Sequence, residues 1–197
     1  MSRFEGILSR SAINGLVPST GPANRRTVEA YHGTSSKIGV QIQATGFLQR
    51  ADYSGSWLGT GIYVWEGDRD RAEQFANDRF GRNYMVFKVT VRLGTCLDLT
   101  QRKWVPVVRA AYDELRRRSL RRREPMAKNR GRKHYLDCQV INHLCETRGG
   151  FDTVRSAFID GDRIYPRAEL FDHGQVMIAV RNRAMILGSP EFVAQGV

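Results

Sequence analysis

The chain has 197 residues, of which 41% are hydrophobic, and a formal net charge of +11 at pH 7. This length suffices for one domain with a hydrophobic core, and the hydrophobic fraction argues against a disordered chain. No run of the sequence approaches the roughly 20 apolar residues that a membrane-spanning helix needs, which argues against an integral membrane protein.

Residues 1–27 are predicted to be a lead-in to a single domain over 28–197. The lead-in is polar, is punctuated by Gly and Pro, and lacks the apolar core of a signal peptide. The three cysteines, Cys96, Cys138 and Cys145, are odd in number and have no metal-ligand spacing. Free, mostly buried thiols are typical of a reducing compartment, so we expect a cytoplasmic location, no metal site and no membrane attachment.

In the first half of the domain, short strands alternate with helices. The predicted elements are a strand over 29–32, a helix over 37–45, a strand over 61–65, a helix capped by Asp68, and a strand over 84–93. In the last of these strands Phe87, Val89 and Val91 alternate with Lys88 and Thr90, which is typical of a strand with one buried face.

The second half contains fewer strands and longer helices. The predicted elements are helices over 105–118 and 136–146, strands over 153–159 and 175–180, and a short strand over 163–165 between them. Short strands interspersed with helices, without a regular βαβ alternation, predict an α+β fold rather than a doubly wound parallel sheet. The absence of a dinucleotide fingerprint and of a P-loop agrees with that choice.

Positive charge is concentrated between residues 101 and 136, where thirteen Lys and Arg residues oppose three acidic residues. This stretch carries a net charge of +10, which leaves the rest of the chain almost neutral. Residues 116–133, here called the basic segment, contain Pro125 and Gly131. They are predicted to form an exposed helix end and a mobile loop inserted in the domain.

A localised basic segment predicts an anionic partner. Nucleic acid is favoured, and the contacts are expected to be with phosphates because the segment contains no aromatic residue on which a base could stack. The alternatives are an acidic protein partner, such as an inhibitor, and a solvated loop without a partner. The candidate acceptor-binding residues are Arg121, Arg122 and Arg123.

Two short motifs carry the candidate chemistry. The sequence YHGT at 31–34 is a strand that ends in a polar turn, and WLGTGIYVW at 57–65 is a glycine-framed strand with a central aromatic residue. Taken alone, His32 is most simply a satisfied structural histidine and Tyr63 a core residue. Their order and their spacing of about 30 residues give them more weight than either has alone.

Together the motifs resemble the ADP-ribosyltransferase superfamily of the diphtheria-toxin and poly-ADP-ribose-polymerase type. That group has His on its first core strand, Tyr on the next, and Glu, Asp or Gln at the start of a later strand. The resemblance covers about 28–187 and extends to segments 68–76, 136–138, 140–142, 151–155 and 173–182. It implies a single domain with a split, mostly antiparallel β-core and flanking helices, in a branch of bacterial toxins or phage-defence effectors.

The resemblance further implies that NAD is the donor of ADP-ribose. The implied catalytic residues are His32, Tyr63 and Gln175. The implied NAD-binding residues are His32, Gly33, Thr34, Ser35, Gly61 and Tyr63. Gln175 occupies the third position by its place at the start of the last long predicted strand, and Glu169 is the alternative. Glutamine at this position keeps a hydrogen bond to the ribose but lacks the negative charge of glutamate.

Elementary chemistry assigns compatible roles. Cleavage of the nicotinamide–ribose bond builds an oxocarbenium-like centre, and the cationic nicotinamide leaves without a general acid. The protein must therefore mainly orient the substrates and stabilise the developing charge. Gly33 would pair its main chain with the carboxamide, Tyr63 would stack on the nicotinamide, and His32 would bind a ribose hydroxyl.

Three functions remain open from the sequence. The first is a mono-ADP-ribosyltransferase, a toxin or defence effector, that modifies a macromolecule, with nucleic acid favoured over protein. The second is an NAD enzyme similar to RNA 2′-phosphotransferases, although their Arg-His-Arg set has no clear match here. The third is a non-enzymic basic protein that binds nucleic acid. Consumption of NAD separates the third function from the first two.

Overall fold

The structure, a computed structural model, describes residues 24–50, 55–131, 133–159 and 161–196. The strands are β1 (Asn24–Ser35), β2 (Ile62–Glu66), β3 (Tyr84–Gly94), β4 (Cys96–Asp98), β5 (Thr153–Ile159), β6 (Gly174–Val180) and β7 (Ile186–Gln195). The helices are α1 (Ser36–Thr45), α2 (Arg69–Phe80), α3 (Val105–Arg122) and α4 (Tyr135–Arg148). None of the helices within these ranges has both the length and the apolar character needed to cross a membrane.

All seven strands belong to one sheet, in the order β4-β5-β6-β2-β1-β3-β7. Every pair of neighbours is antiparallel except β4 and β5, which are parallel. The predicted α+β class, with a mostly antiparallel sheet and flanking helices, is therefore confirmed.

The caps of α1 and α2 explain where these helices start and stop. The Ser35 side chain accepts a hydrogen bond from the main-chain N–H of Ile38 and begins α1, and Gly46 ends it in the left-handed conformation with φ of 71°. Asp68 begins α2 by accepting a hydrogen bond of 2.9 Å from the N–H of Arg71. The predicted Asp68 cap is thus confirmed.

Helix α1 covers one face of the sheet, which we call the back face. Ile42 of α1 lies in a buried cluster with Ala30, Val64 and Phe87, which project from β1, β2 and β3. This apolar layer joins three neighbouring strands. It also makes the α1 side of the domain a continuous core beneath the strands that carry the two sequence motifs.

Two separate groups of helices cover the opposite face, which we call the front face. Helix α2 packs through Ala76 against Val86 of β3. Helices α3 and α4 pack against β4 and β5, with Val107 and Val154 in one buried cluster. Met177 of β6 touches both clusters, so the boundary between the two helix groups falls over β2 and β6.

Some predicted boundaries differ from the observed ones. Strand β1 begins at Asn24, so the last residues of the predicted lead-in belong to the sheet, while the rest of the lead-in, 1–23, lies outside the described residues. The segment 163–165 forms a single isolated bridge between Arg163 and Phe171 rather than a strand. Strands β4 and β7 were not predicted. Each of the three cysteines is free, and two of them are buried.

Replacing Gly33 by alanine is expected to lower the free energy of unfolding by about 1–3 kcal/mol, the usual cost of overpacking. The new Cβ would lie 2.3 Å from the carbonyl oxygen of Ala72, so α2 would have to move away from β1. Urea unfolding measures the change. Gly174→Ala is the matched control, because its Cβ would meet nothing within 4 Å. Equal losses of stability in the two variants would contradict the close packing of α2 on β1.

Candidate functional site

Strands β1 and β2 separate after a short stretch of pairing. Between their described residues, ladder pairs are confined to Ala30 with Glu66 and Tyr31 with Trp65. Beyond these pairs β1 continues along β3 and β2 continues along β6. We call the opening between residues 32–35 of β1 and 62–64 of β2 the strand gap.

His32 lies at the first position of the strand gap. Its Nδ1 is 2.8 Å from the main-chain oxygen of Tyr63. Because a carbonyl oxygen only accepts hydrogen bonds, Nδ1 must carry the proton and donate it. Burial lowers the pKa of the His32 imidazole, and the bond to Tyr63 opposes that shift only in part. The ring is therefore neutral at pH 7, and its Nε2 can accept a hydrogen bond from a hydroxyl group.

The main chain of Gly33 also faces the strand gap. The Glu29 carbonyl accepts a hydrogen bond of 2.9 Å from the N–H of Gly67, so Glu29 turns its main-chain groups toward β2. Every second residue of a strand directs its main-chain N–H and C=O toward the same adjacent strand. The N–H and C=O of Gly33 therefore point toward β2 beyond the last ladder pair. Such groups need partners, and an amide ligand offers a matching donor and acceptor.

The Tyr63 hydroxyl is used to hold the loop that precedes its own strand. It donates a hydrogen bond of 2.6 Å to the carbonyl of Gly59 and accepts one of 2.9 Å from the N–H of Leu58. Burial raises the pKa of Tyr63, so the phenol stays neutral. Since both main-chain contacts occupy the hydroxyl, the ring of Tyr63 is the part suited to contact a ligand.

The same loop, residues 57–61, is held by two further side chains. Asn142 of α4 accepts a hydrogen bond of 2.8 Å from the N–H of Thr60, and Arg181 donates one of 3.0 Å to the Thr60 carbonyl. Arg181 also donates to the Asn142 side-chain oxygen at 2.9 Å. Gly59 has φ of 75°, and a Cβ there would lie 2.5 Å from Asn142 Oδ1. The loop conformation therefore depends on glycine and on these contacts.

The side chains of His32 and Tyr63 project from opposite faces of the sheet. Tyr63 packs against the front-face cluster of α3 and α4. His32 pairs with Phe87, a back-face residue, in the ladder between β1 and β3. The two residues meet through the His32 ring and the Tyr63 main chain. A ligand that contacts both side chains must therefore lie in the strand gap itself.

Gln175 meets Trp65 rather than His32 or Tyr63. It is 2% exposed, and its Oε1 accepts a hydrogen bond of 2.6 Å from the indole N–H of Trp65. Tyr63 pairs with Ala179, four residues along β6 from Gln175, which corresponds to about 13 Å along the strand. Gln175 is therefore enclosed, and its Oε1 is already bound to the Trp65 indole.

The other predicted site residues have structural contacts. The Glu169 side chain is 90% exposed and pairs with Arg163, so it lies outside the sheet. Thr34 is buried, and Ser35 caps α1. Gly61 packs on β6, where a Cβ would lie 3.1 Å from the Cβ of Ala179. The end of α3 carries the three acceptor-binding candidates, which are all exposed: Arg121, Arg122 and Arg123.

Sequence reasoning missed three side chains that shape this region. Asn142 and Arg181 bind the 57–61 loop, and the Trp65 indole donates a hydrogen bond to Gln175. Both Asn142 and Arg181 lie in segments that carry the family resemblance, but no spacing connects them in sequence. Only the tertiary structure brings α4 and the end of β6 to the same loop.

Comparison with known proteins assigns no family to this geometry. No family model, no curated protein and no solved structure matches the chain. The resemblance to ADP-ribosyltransferases therefore remains a prediction, and the site is defined by its own contacts.

The imidazole of His32 is expected to titrate below 6.5, its ordinary pKa. Burial disfavours the charged ring, so the unfolded chain takes up the proton first as the pH falls. The stability that neutral His32 contributes is present above pH 6.5 and is lost progressively below it. NMR titration of the ring protons measures this pKa, and His32→Gln assigns the signal.

Urea unfolding across the same pH range checks the sign of the effect. His32→Gln should weaken the loss of stability at acid pH, whereas His173→Gln, an exposed-site control, should retain it. A His32 signal that titrates at or above 6.5 would contradict the lowered pKa and the neutral ring.

Proposed function

We propose that this chain is an NAD-dependent mono-ADP-ribosyltransferase that transfers ADP-ribose to a macromolecule, with nucleic acid as the favoured acceptor. One observation carries the proposal: the strand gap combines a neutral His32, the main chain of Gly33, which faces β2 beyond the last ladder pair, and the ring of Tyr63. These are the groups expected to bind a ribose hydroxyl, a carboxamide and a nicotinamide ring.

The reaction needs little proton transfer from the protein. The bond between nicotinamide N1 and ribose C1′ breaks, and both electrons leave with nicotinamide, which becomes neutral. A nitrogen or oxygen of the acceptor forms the new bond to C1′ and releases a proton. Positioning and electrostatic stabilisation carry most of the catalysis in such a step.

In this proposal each residue has one role. His32 Nε2 accepts a hydrogen bond from a ribose hydroxyl, since Nδ1 donates to the Tyr63 carbonyl. Gly33 pairs with the carboxamide through its main chain, and the Tyr63 ring stacks on nicotinamide. Gln175 takes the third catalytic position after the Trp65 indole moves away from it. Glu169, which is exposed and paired with Arg163, is the weaker candidate for that position.

The basic segment is assigned to the acceptor. Its arginines at the end of α3 are exposed, and they lie outside the strands that bound the gap. Phosphate contacts of this kind add affinity without reading sequence. We place the activity in the cytoplasm, because the three cysteines are free. An enzyme similar to RNA 2′-phosphotransferases and a non-enzymic binder remain the competing functions.

Incubation with NAD labelled in its ADP-ribose part, and with separate pools of RNA, DNA and protein, tests the function. We expect release of nicotinamide and label in a nucleic-acid pool. Tyr63→Ala should reduce turnover at least about fivefold, because aromatic stacking contributes on the order of 1 kcal/mol. His173→Gln should retain full turnover.

The outcomes of that assay separate the candidate functions. If NAD is not consumed with any pool, the enzymatic proposal is wrong and the non-enzymic binder is favoured. Transfer of label to the protein pool alone would reject nucleic acid as the acceptor. Wild-type turnover in a folded Tyr63→Ala variant would show that Tyr63 is a core residue and does not stack on nicotinamide.

Replacing Arg121, Arg122 and Arg123 together by glutamine is expected to flatten the salt dependence of acceptor binding. Log affinity falls as log salt rises, and each lost phosphate contact makes the magnitude of that slope smaller by roughly 0.7–0.9. NAD affinity should change little, because the strand gap lies on other elements. Unchanged transfer to RNA and DNA across a salt series would reject the phosphate role and favour an acidic protein partner.

A further inference from the structure

A cavity of about 500 Å³ opens on the front face between α3, α4 and β5. Its volume falls within the roughly 300–1,000 Å³ typical of ligand pockets. Most of its wall is apolar, and three polar side chains from three different elements border it: Arg109, Asp137 and Ser156. We call it the front cavity.

Aromatic side chains form part of its wall. Trp57 and Phe158 lie with ring centroids 4.1 Å apart, and Tyr112 of α3 borders the same space. Tyr112 is 37% exposed, which leaves its ring accessible at the mouth. Aromatic walls with a few hydrogen-bonding groups suit a planar heterocycle, whose faces stack and whose edges bind polar atoms.

The front cavity adjoins the proposed NAD site. Leu58 lines the cavity, and its N–H donates to the Tyr63 hydroxyl. Phe158 lies directly opposite Gln175 in the ladder between β5 and β6. A group held in the cavity would therefore lie beside the site at which ADP-ribose is released, without occupying the strand gap.

A line of arginines leads away from the cavity along α3. Val105, Val108 and Tyr112 of α3 face the cavity together with Arg109. Residues seven apart lie on nearly the same side of a helix, about 10 Å from each other. Arg116 therefore shares that side, and Arg123 follows at the helix end. The three arginines, Arg109, Arg116 and Arg123, are exposed.

We propose that the front cavity holds one unpaired base of a single-stranded nucleic acid, with its phosphates along Arg109, Arg116 and Arg123. The inference rests on the proposed function and narrows its acceptor to single strands. A base in a duplex must first be extruded from its stack, which costs a few kcal/mol. The positive charge of the three arginines is complementary to phosphates, and the volume and aromatic wall of the cavity suit a base.

The decisive comparison uses oligonucleotides and no NAD. A fluorescent single strand, the same strand with abasic sites, and a duplex carry equivalent phosphates but differ in free bases. We expect the abasic strand to bind about 5- to 150-fold more weakly, since one stacked base contributes that much. The duplex should also bind more weakly. Equal affinity for the single strand and its abasic form would overturn the proposal.

Substitutions in the wall of the front cavity test whether the base binds there. Val108→Trp fills the cavity and should reduce affinity for the normal strand to that for the abasic strand. Tyr112→Ala, a milder change at an accessible position, should produce part of the same loss if Val108→Trp fails to fold. Val40→Trp, at an exposed position of α1 on the other side of the sheet, is the matched control and should bind normally. Unchanged binding in both cavity variants would overturn the proposal.

Adjacent arginines test the phosphate path. Arg116→Gln should weaken binding of normal and abasic strands equally and lower the salt slope by roughly 0.7. Arg117→Gln removes the same charge from an exposed neighbour that faces another side of α3, so its effect should be smaller. Equal effects of the two substitutions would contradict a defined path.

Hydrolysis of NAD, in which water replaces the acceptor and forms the new bond to C1′, separates this inference from the proposed function. Val108→Trp should release nicotinamide at the wild-type rate. Loss of that release in folded protein would show that the cavity belongs to the NAD site and would overturn the base assignment. If the wild-type protein consumes no NAD with any of the acceptor pools, the proposed function fails, while base-dependent binding would still support the cavity as a base site.

Discussion

The hydrogen bond from His32 Nδ1 to the Tyr63 carbonyl is the contact on which the site depends. Strands β1 and β2 stop pairing just before it, and main-chain groups that leave a ladder need new partners. The imidazole satisfies one of them and fixes its own tautomer in doing so. The sheet remains continuous because β1 keeps its pairing with β3 and β2 keeps its pairing with β6.

The surroundings of the gap are fixed by main-chain contacts as much as by side-chain packing. Tyr63, Asn142 and Arg181 all bind the main chain of the 57–61 loop. The loop in turn connects the strand gap with the front cavity, because Leu58 belongs to both environments. Preorganised contacts of this kind allow a site to stabilise charge without rearranging during the reaction.

Local sequence patterns predicted most of the strands and helices, because side-chain alternation and helix caps depend on only a few neighbouring residues. They failed for β7, where Gly188 and Pro190 interrupt the alternation and pairing with β3 is long-range. The motifs pointed to His32 and Tyr63, which a hydrogen bond joins in the structure, but they did not predict that Gln175 accepts a hydrogen bond from Trp65. The basic segment contains no aromatic residue, so its sequence predicted phosphate contacts alone; the aromatic wall of the front cavity comes from distant segments and required the fold.

We propose that the gap between β1 and β2 binds the nicotinamide end of NAD. A crystal structure with a non-hydrolysable NAD analogue tests it most directly. We expect the carboxamide at the Gly33 main chain, the nicotinamide ring against Tyr63, and a ribose hydroxyl at His32 Nε2. An analogue bound elsewhere on the protein, with the His32 and Tyr63 surroundings unoccupied, would contradict it.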